Sequence, residues 1–224
     1  FLKNKASFIT QILLPESNLT LEENLTVDSV ILSYNYSDYY GDLDGITSIE
    51  VRKIEQDVSK LPFSEGTTFG GNNQQTRSSR IKWIPQEDRW HWLYDKLGNM
   101  ALEANDILWK FNLYDMPEQI QYTEYLASKD GRYEWHQDIG PELGSIRKIS
   151  ITVQLSEPDD YEGGDLELWL GGNYEECKKE GFIKSPRKAG CVFLFPSYMM
   201  HRVAPLTKGT RKSFVLWLGG DHYR

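Results

Sequence analysis

"RKISITVQLSEPDDYEGGDLEL", residues 147–168, decides what kind of fold this chain makes. Ile149, Ile151, Val153 and Leu155 alternate with Ser150, Thr152 and Gln154. A period of two puts the aliphatic set on one face of a strand and the hydroxyls and amide on the other. Gly163–Gly164 then supplies a turn, where glycine tolerates backbone angles other residues resist, into a second short run at 165–170. Similar β-like runs occupy 119–127, 132–138, 190–195, 198–204 and 211–218, broken by Gly131, Gly140–Pro141, Pro158, Gly171–Gly172, Gly190, Pro196 and Gly209. Short strands punctuated this way predict an all-β sandwich or barrel.

Upstream the texture differs. Between Asp88 and Trp109, the residues Trp90, Leu93, Tyr94, Leu97, Ala101, Ala104 and Leu108 share one helical face. Gly98 costs that helix about 1 kcal/mol relative to Ala, and the periodicity outweighs it. Asn105 is positioned to cap the helix or brace it against a sheet. A second helix is expected over 44–61, ended by Pro62, with strands at 6–14, 27–36 and 80–85. Segment 63–76, "FSEGTTFGGNNQQT", reads as a polar, Gly-rich loop. The expected organisation is mainly β with N-terminal helices. Residues 1–116 hold strands and supporting helices, and 117–224 hold the β core, packed together as one structural unit.

The net charge of −8 argues against binding nucleic acid through its phosphates. A local exception, "CKKEGFIKSPRK" at 177–188, reads as a solvated loop or as a basic rim for an acidic substrate. Only two cysteines, Cys177 and Cys191, are present and neither sits in a CxxC. That fits a reducing compartment such as the cytoplasm. No run is long and apolar enough for a membrane helix, and the opening "FLKNKASFITQILLPES" shows no signal-peptide cleavage pattern.

"YEWHQD", residues 133–138, breaks an aromatic stretch with His136 and Asp138. On a strand, positions i and i+2 share a face, so both side chains would project together. Alone, a buried His–Asp hydrogen bond explains such a pair. But His201 follows in "FPSYMMHRV", and Arg211 ten residues later in "GTRKSFVLW". Two imidazoles and one carboxylate form the facial ligand set of non-haem Fe(II) oxygenases, which leaves adjacent coordination positions open. A planar, permanently charged guanidinium suits the far carboxylate of a dicarboxylic cosubstrate. His91 and His222 read as surface residues.

With "QYTEY" (121–125), "YEWHQD", "RKISITVQLSEPDDYEGGDLEL" and "FPSYMMHRVAPLTKGTRKSFVLW" (195–217) in this order, the chain resembles the Fe(II)/2-oxoglutarate-dependent dioxygenases. Within them it is most similar to the prolyl/lysyl hydroxylase branch, the PKHD-type and prolyl 4-hydroxylase-like enzymes. "TRSSRIKWIP" and "ALEAND" resemble that branch's helical support. The resemblance implies a double-stranded β-helix, or jelly-roll, buttressed by α-helices. It implies His136, Asp138 and His201 as the iron ligands. It implies Arg211 as the 2-oxoglutarate anchor, with Ser213, Tyr125 (Tyr122 as second choice) and, further down, Gln154 as helpers. Trp217 and Tyr133 are expected at the pocket wall, Tyr133 only if the strand bends locally. Trp135 should face away from His136 and pack between sheet and helices. The implied cofactors are Fe(II), 2-oxoglutarate and O2, with ascorbate as reductant. The implied reaction hydroxylates a prolyl or other amino-acid residue of a peptide or protein, releasing succinate and CO2. A free amino acid or small metabolite as substrate, a zinc hydrolase and a non-catalytic ligand-binding jelly-roll remain alternatives. Loops 63–76 and 171–188 are the expected substrate lids.

Overall fold

The structure, a computed structural model, describes residues 57–68, 71 and 73–223, and backbone alone at 11–13 and 35–36. Its strands in chain order begin with β1 (Gln11–Leu13), β2 (Asn35–Tyr36), β3 (Ser64–Glu65), β4 (Arg77–Ser78) and β5 (Arg80–Ile84). Helix α1 (Asp88–Leu108) follows, then β6 (Ile120–Leu126), β7 (Arg132–His136), β8 (Arg147–Gln154), β9 (Tyr161–Gly163) and β10 (Leu166–Trp169). After helix α2 (Tyr174–Glu180) come β11 (Ile183–Lys184), β12 (Val192–Pro196), β13 (Met200–Val203) and β14 (Leu206–Gly219).

Two antiparallel sheets form a double-stranded β-helix. The larger runs β2-β1-β12-β8-β14-β6-β5-β3, with β9 paired to β14, and the smaller runs β11-β10-β13-β7-β4. The alternation in β8 explains how the layers stack. Ile149, Ile151 and Val153 join Leu155, Leu194, Leu216 and Leu218 in one buried cluster with Trp90, Leu93, Leu97, Ala101 and Ala104 of α1. Burying each large aliphatic side chain there contributes about 1.5–3 kcal/mol. A second cluster, with Tyr125, Leu166, Leu168, Phe193, Phe195 and Val203, fills part of the space between the sheets. The other face of β8 carries Ser150, Thr152 and Gln154, all buried. This sheet therefore turns an oily face to the helix and a partly polar face to the barrel interior. β14 keeps the same phase, since Ser213, Val215 and Trp217 pair with Gln154, Thr152 and Ser150.

Several expectations need adjusting. The 27–36 strand is described only at Asn35–Tyr36 and the 6–14 strand at Gln11–Leu13; the rest of both lies outside the described residues. Of the helix expected over 44–61, only 57–61 is described: 57–59 is helical, and the chain leaves the helix in a turn at 60–61, before Pro62. The 177–188 stretch is not simply a loop, because α2 and β11 occupy half of it. Asn173 caps α2 by accepting from the N–H groups of Glu175 and Glu176. Two of its five cations are paired with acidic side chains: Lys184 with Asp165 and Glu167, and Arg187 with Asp165. Asn105 clamps the chain beyond the end of α1 rather than a sheet, exchanging hydrogen bonds with the backbone of Phe111. β14 begins at Leu206, so Arg211 stands inside the last strand and not at its start.

Candidate metal centre

β7 and β13 bring the histidines together. His201 pairs with His136, and Val203 pairs with Tyr133, so two steps on β13 face three on β7. That bulge turns Tyr133 and His136, three residues apart, to the same side. Their rings stack with centroids 3.5 Å apart at 16°. Trp135 faces away, as expected, and meets Tyr174 of α2 and Phe182 just after it.

Asp138 departs from the strand reading. It lies two residues past the end of β7, so an i, i+2 pair on one strand does not account for its position. Its N–H donates to Ser197 O at 2.9 Å, in the turn that leads to β13. Its Oδ2 accepts from the Ser150 hydroxyl at 2.6 Å, and Ser150 touches Ser197 Oγ at 3.0 Å. Backbone and hydroxyls thus fix the carboxylate between the two sheets.

Each imidazole is held by its own strand. His136 Nδ1 lies 2.7 Å from Glu134 O, and His201 Nδ1 lies 2.8 Å from Met199 O. Donation from Nδ1 to those carbonyls leaves both Nε2 lone pairs facing Asp138. The Nε2 atoms stand 3.7 Å from Asp138 Oδ1 and 3.5 Å from Oδ2, beyond hydrogen-bond length. All three groups offer ligand atoms within 4.8 Å of one another. Two neutral nitrogens and a carboxylate, buried and aimed at a common point without bonding each other, fit a divalent ion of the Fe(II) class. Burial, then the neighbouring His201, push the His136 pKa well below its usual range, which keeps its lone pair available. Burial alone would raise Asp138; the two imidazoles, Ser150 and Arg147 outweigh it and hold the carboxyl ionised, below the usual carboxylate range.

Arg211 is 1% exposed. Its guanidinium donates to Ser213 Oγ at 3.3 Å and Gln154 Oε1 at 3.0 Å, both neutral, and its Nε has no partner. No carboxylate pairs with it among the described residues. A buried cation without a counter-ion is costly, so the site fits an anion. Tyr125, opposite Arg211 in the β6–β14 ladder, presents its ring 5.6 Å from the guanidinium carbon. Tyr122, the second choice, points the other way into the helix-side core.

A cavity of about 210 Å³ joins these groups. His136, Asp138, His201, Arg211, Ser213, Tyr125, Tyr133 and Trp217 all line it. Gln154 does not; it sits behind Arg211, holding Nη2 and donating in turn to Ser185. Thr152, one register step nearer, takes the wall position instead. Arg147 and Glu118 also line it as an ion pair, with the Arg147 guanidinium 3.7 Å above the Trp217 ring. Of the two expected lids, 63–76 contributes Thr67 and Thr68 to the wall, and 171–188 contributes nothing. Sequence reading missed Ser150, Ser197, Thr152, Arg77 and the Glu118–Arg147 pair. The polar face of β8 was the available signal for Ser150 and Thr152; the others are joined only by the fold.

Comparison with known proteins agrees with this geometry. The family described as the 2OG-Fe(II) oxygenase superfamily matches residues 120–219. A PKHD-type hydroxylase of Synechococcus sp. is 40% identical over 181 residues, covering 78% of this chain and 75% of that protein. One of Alteromonas mediterranea is 28% identical over 193 residues, with 78% and 75% covered. Among solved structures, a Trichoplax adhaerens prolyl hydroxylase, in complex with a hypoxia inducible factor oxygen degradation domain peptide fragment, superposes with TM-score 0.58 at 20% identity. That match covers 76% of this chain and 74% of that one. A Pseudomonas putida prolyl-4-hydroxylase gives 0.53 at 18%, covering 76% and 99%. Both share the fold. The chain belongs to the 2OG-Fe(II) oxygenase superfamily, in its PKHD-type hydroxylase branch, and is a 2-oxoglutarate-dependent dioxygenase.

Proposed function

We propose that this chain hydroxylates an amino-acid residue, prolyl by default, in a peptide or protein, with release of succinate and CO2. The observation that carries the reading is one cavity holding both the His136–Asp138–His201 cluster and the uncompensated Arg211. His136 and His201 would bind iron through Nε2, and Asp138 through a carboxylate oxygen. Iron so held supplies oxidative decarboxylation of 2-oxoglutarate coupled to C–H hydroxylation.

The protein's own groups do the positioning. Arg211 would pair with the distal carboxylate of 2-oxoglutarate, joined by the Ser213 and Tyr125 hydroxyls. Ser150 and the Ser197 carbonyl keep Asp138 from turning away. Tyr133, stacked on His136, and Trp217 would wall the substrate side, and the apolar residues between the sheets exclude water. Ascorbate would serve as reductant. A peptide substrate is favoured because the fold-sharing Trichoplax prolyl hydroxylase is in complex with a peptide fragment. The only two cysteines, Cys177 and Cys191, sit in no CxxC and suit a reducing cytoplasm. Among the described residues, no helix is long and apolar enough to cross a membrane.

The test is succinate release with Fe(II) and 2-oxoglutarate against a peptide and metabolite panel. His136→Ala and Arg211→Ala should abolish coupled turnover. Wild-type coupled activity in both variants would overturn the site.

A further inference from the structure

Arg77, at the start of β4, is beside Arg211 a second buried cation of the cavity wall that has no carboxylate partner among the described residues. It is 6% exposed. Its Nε donates to Ser79 Oγ at 2.8 Å and its Nη1 to Thr67 O at 2.9 Å, both neutral. Among the described residues, Nη2 makes no hydrogen bond and no carboxylate pairs with the group. The setting is built around it. A Cβ on Gly66 would stand 2.2 Å from Ser79 Oγ and 2.6 Å from Arg77 Nε, so only glycine lets the 66–68 backbone close on this pair. On β7, the register partner Tyr133 holds its ring 4.7 Å from the guanidinium carbon and stacks on His136. Arg77 is thus one aromatic ring away from a candidate iron ligand.

The charges of the loaded cavity single it out. Arg147 is neutralised by Glu118. The ion's two positive charges and that of Arg211 are matched by Asp138 and the two carboxylates of 2-oxoglutarate. Arg77 alone is then left without a counter-charge, in a place where an unpaired ion is costly. We propose that Arg77 is the anchor for a carboxylate carried by the primary substrate, close to the carbon that is hydroxylated. This rests on the iron and 2-oxoglutarate reading above and narrows its substrate class to acidic peptides or free carboxylates. One open nitrogen and one charge match a monoanion better than a phosphate dianion.

The probes are capped proline peptides identical but for Asp or Asn, and Glu or Gln, beside the proline. N-acetylproline and its amide form the free-carboxylate arm. Binding is measured anaerobically to protein loaded with Mn(II) and 2-oxoglutarate, with 2-oxoglutarate affinity measured in parallel. In at least one arm, wild type should favour the acid over its amide about 10- to 100-fold. Arg77→Gln should collapse that ratio and keep 2-oxoglutarate affinity, and Arg77→Lys should restore part of it. A merely structural Arg77 would weaken acid and amide alike. Equal wild-type affinity for acid and amide in every arm overturns the proposal, and so does parallel loss in Arg77→Gln. Should Arg77→Gln not fold, the wild-type ratio and its fall with added salt decide the matter. If 2-oxoglutarate affinity is indifferent to Arg211→Gln, the underlying reading fails. If that dependence stands without acid preference, only the present inference fails.

Discussion

Replacing Arg211 by Met should move stability and cosubstrate binding in opposite directions. Arg211 is 1% exposed, and its hydrogen-bond acceptors, Ser213 and Gln154, are both neutral. An ion carried into a protein interior costs several kcal/mol even after relaxation, and apolar replacement of buried charge is often neutral or stabilising by about 1–4 kcal/mol. The two hydrogen bonds lost are each worth up to about 1.5–3 kcal/mol and offset part of that gain. The ligand-free variant is therefore expected to equal wild type or exceed it by about 1–3 kcal/mol. Each kcal/mol corresponds to roughly 2–4 °C in Tm for a chain of this size. Binding should go the other way. Removing one partner of a buried charge pair costs about 2–5 kcal/mol, or roughly 30- to several thousand-fold in 2-oxoglutarate affinity. Thermal unfolding without ligand, followed by 2-oxoglutarate titration with Mn(II) under argon, reads both quantities. Wild type should gain about 2.7 kcal/mol at a hundred times Kd, and the variant at most about 0.9 kcal/mol at that concentration. A variant that is less stable without ligand and keeps wild-type affinity would show that Arg211 is a structural residue.

Other substitutions probe the support around the cavity. Ser150→Ala removes the hydroxyl that holds Asp138 Oδ2, so metal affinity should fall about 10- to 100-fold; unchanged affinity by metal titration would contradict that role. Gly209→Ala forces a side chain at φ 73° with its Cβ 2.0 Å from Asp160 O, against backbone that cannot yield. It should destabilise by more than about 2 kcal/mol in urea unfolding. Gly98→Ala meets only the flexible end of Met116, and the helix-propensity gain of up to about 1 kcal/mol should leave stability level or higher. For pH, His136 has a lowered folded-state pKa, so the folded protein binds fewer protons than the unfolded chain. Its contribution is present above the ordinary histidine pKa of about 6.5 and is lost as pH falls below it. Metal-free wild type should therefore lose stability on acidification more steeply than His136→Asn, measured by denaturation at several pH values.

The barrel and its supporting helix were legible because burial on one face leaves a period in the chain. Ile149 to Leu155 and Trp90 to Leu108 show periods of 2 and 3.6, and the structure puts the first face against the second from Trp90 to Ala104. The iron-binding candidates were legible as residue types in order, although the reason given for Asp138 was wrong. A strand period continues only while the strand does, and β7 stops at His136. Gln154 was misplaced because alternation fixes a face but not a depth; it lies on the inner face, yet behind Arg211. The Glu118–Arg147 pair and Arg77 left no periodic trace, since their neighbours are brought in by loops and sheet register.

The bulge in β7 has a bearing on how this chain can change over time. Three steps there are measured against two on β13, and the count decides whether an imidazole faces the cavity or α2. Gaining or losing one residue between 133 and 136 would swap His136 with a neighbour such as Trp135, although the ladder could still form on either side. Descendants of this sequence can accept substitutions in the segment and length changes in the loops around it, but not a length change within it. When the chain is aligned with distant relatives, "YEWH" is a ruler into which no gap should be placed.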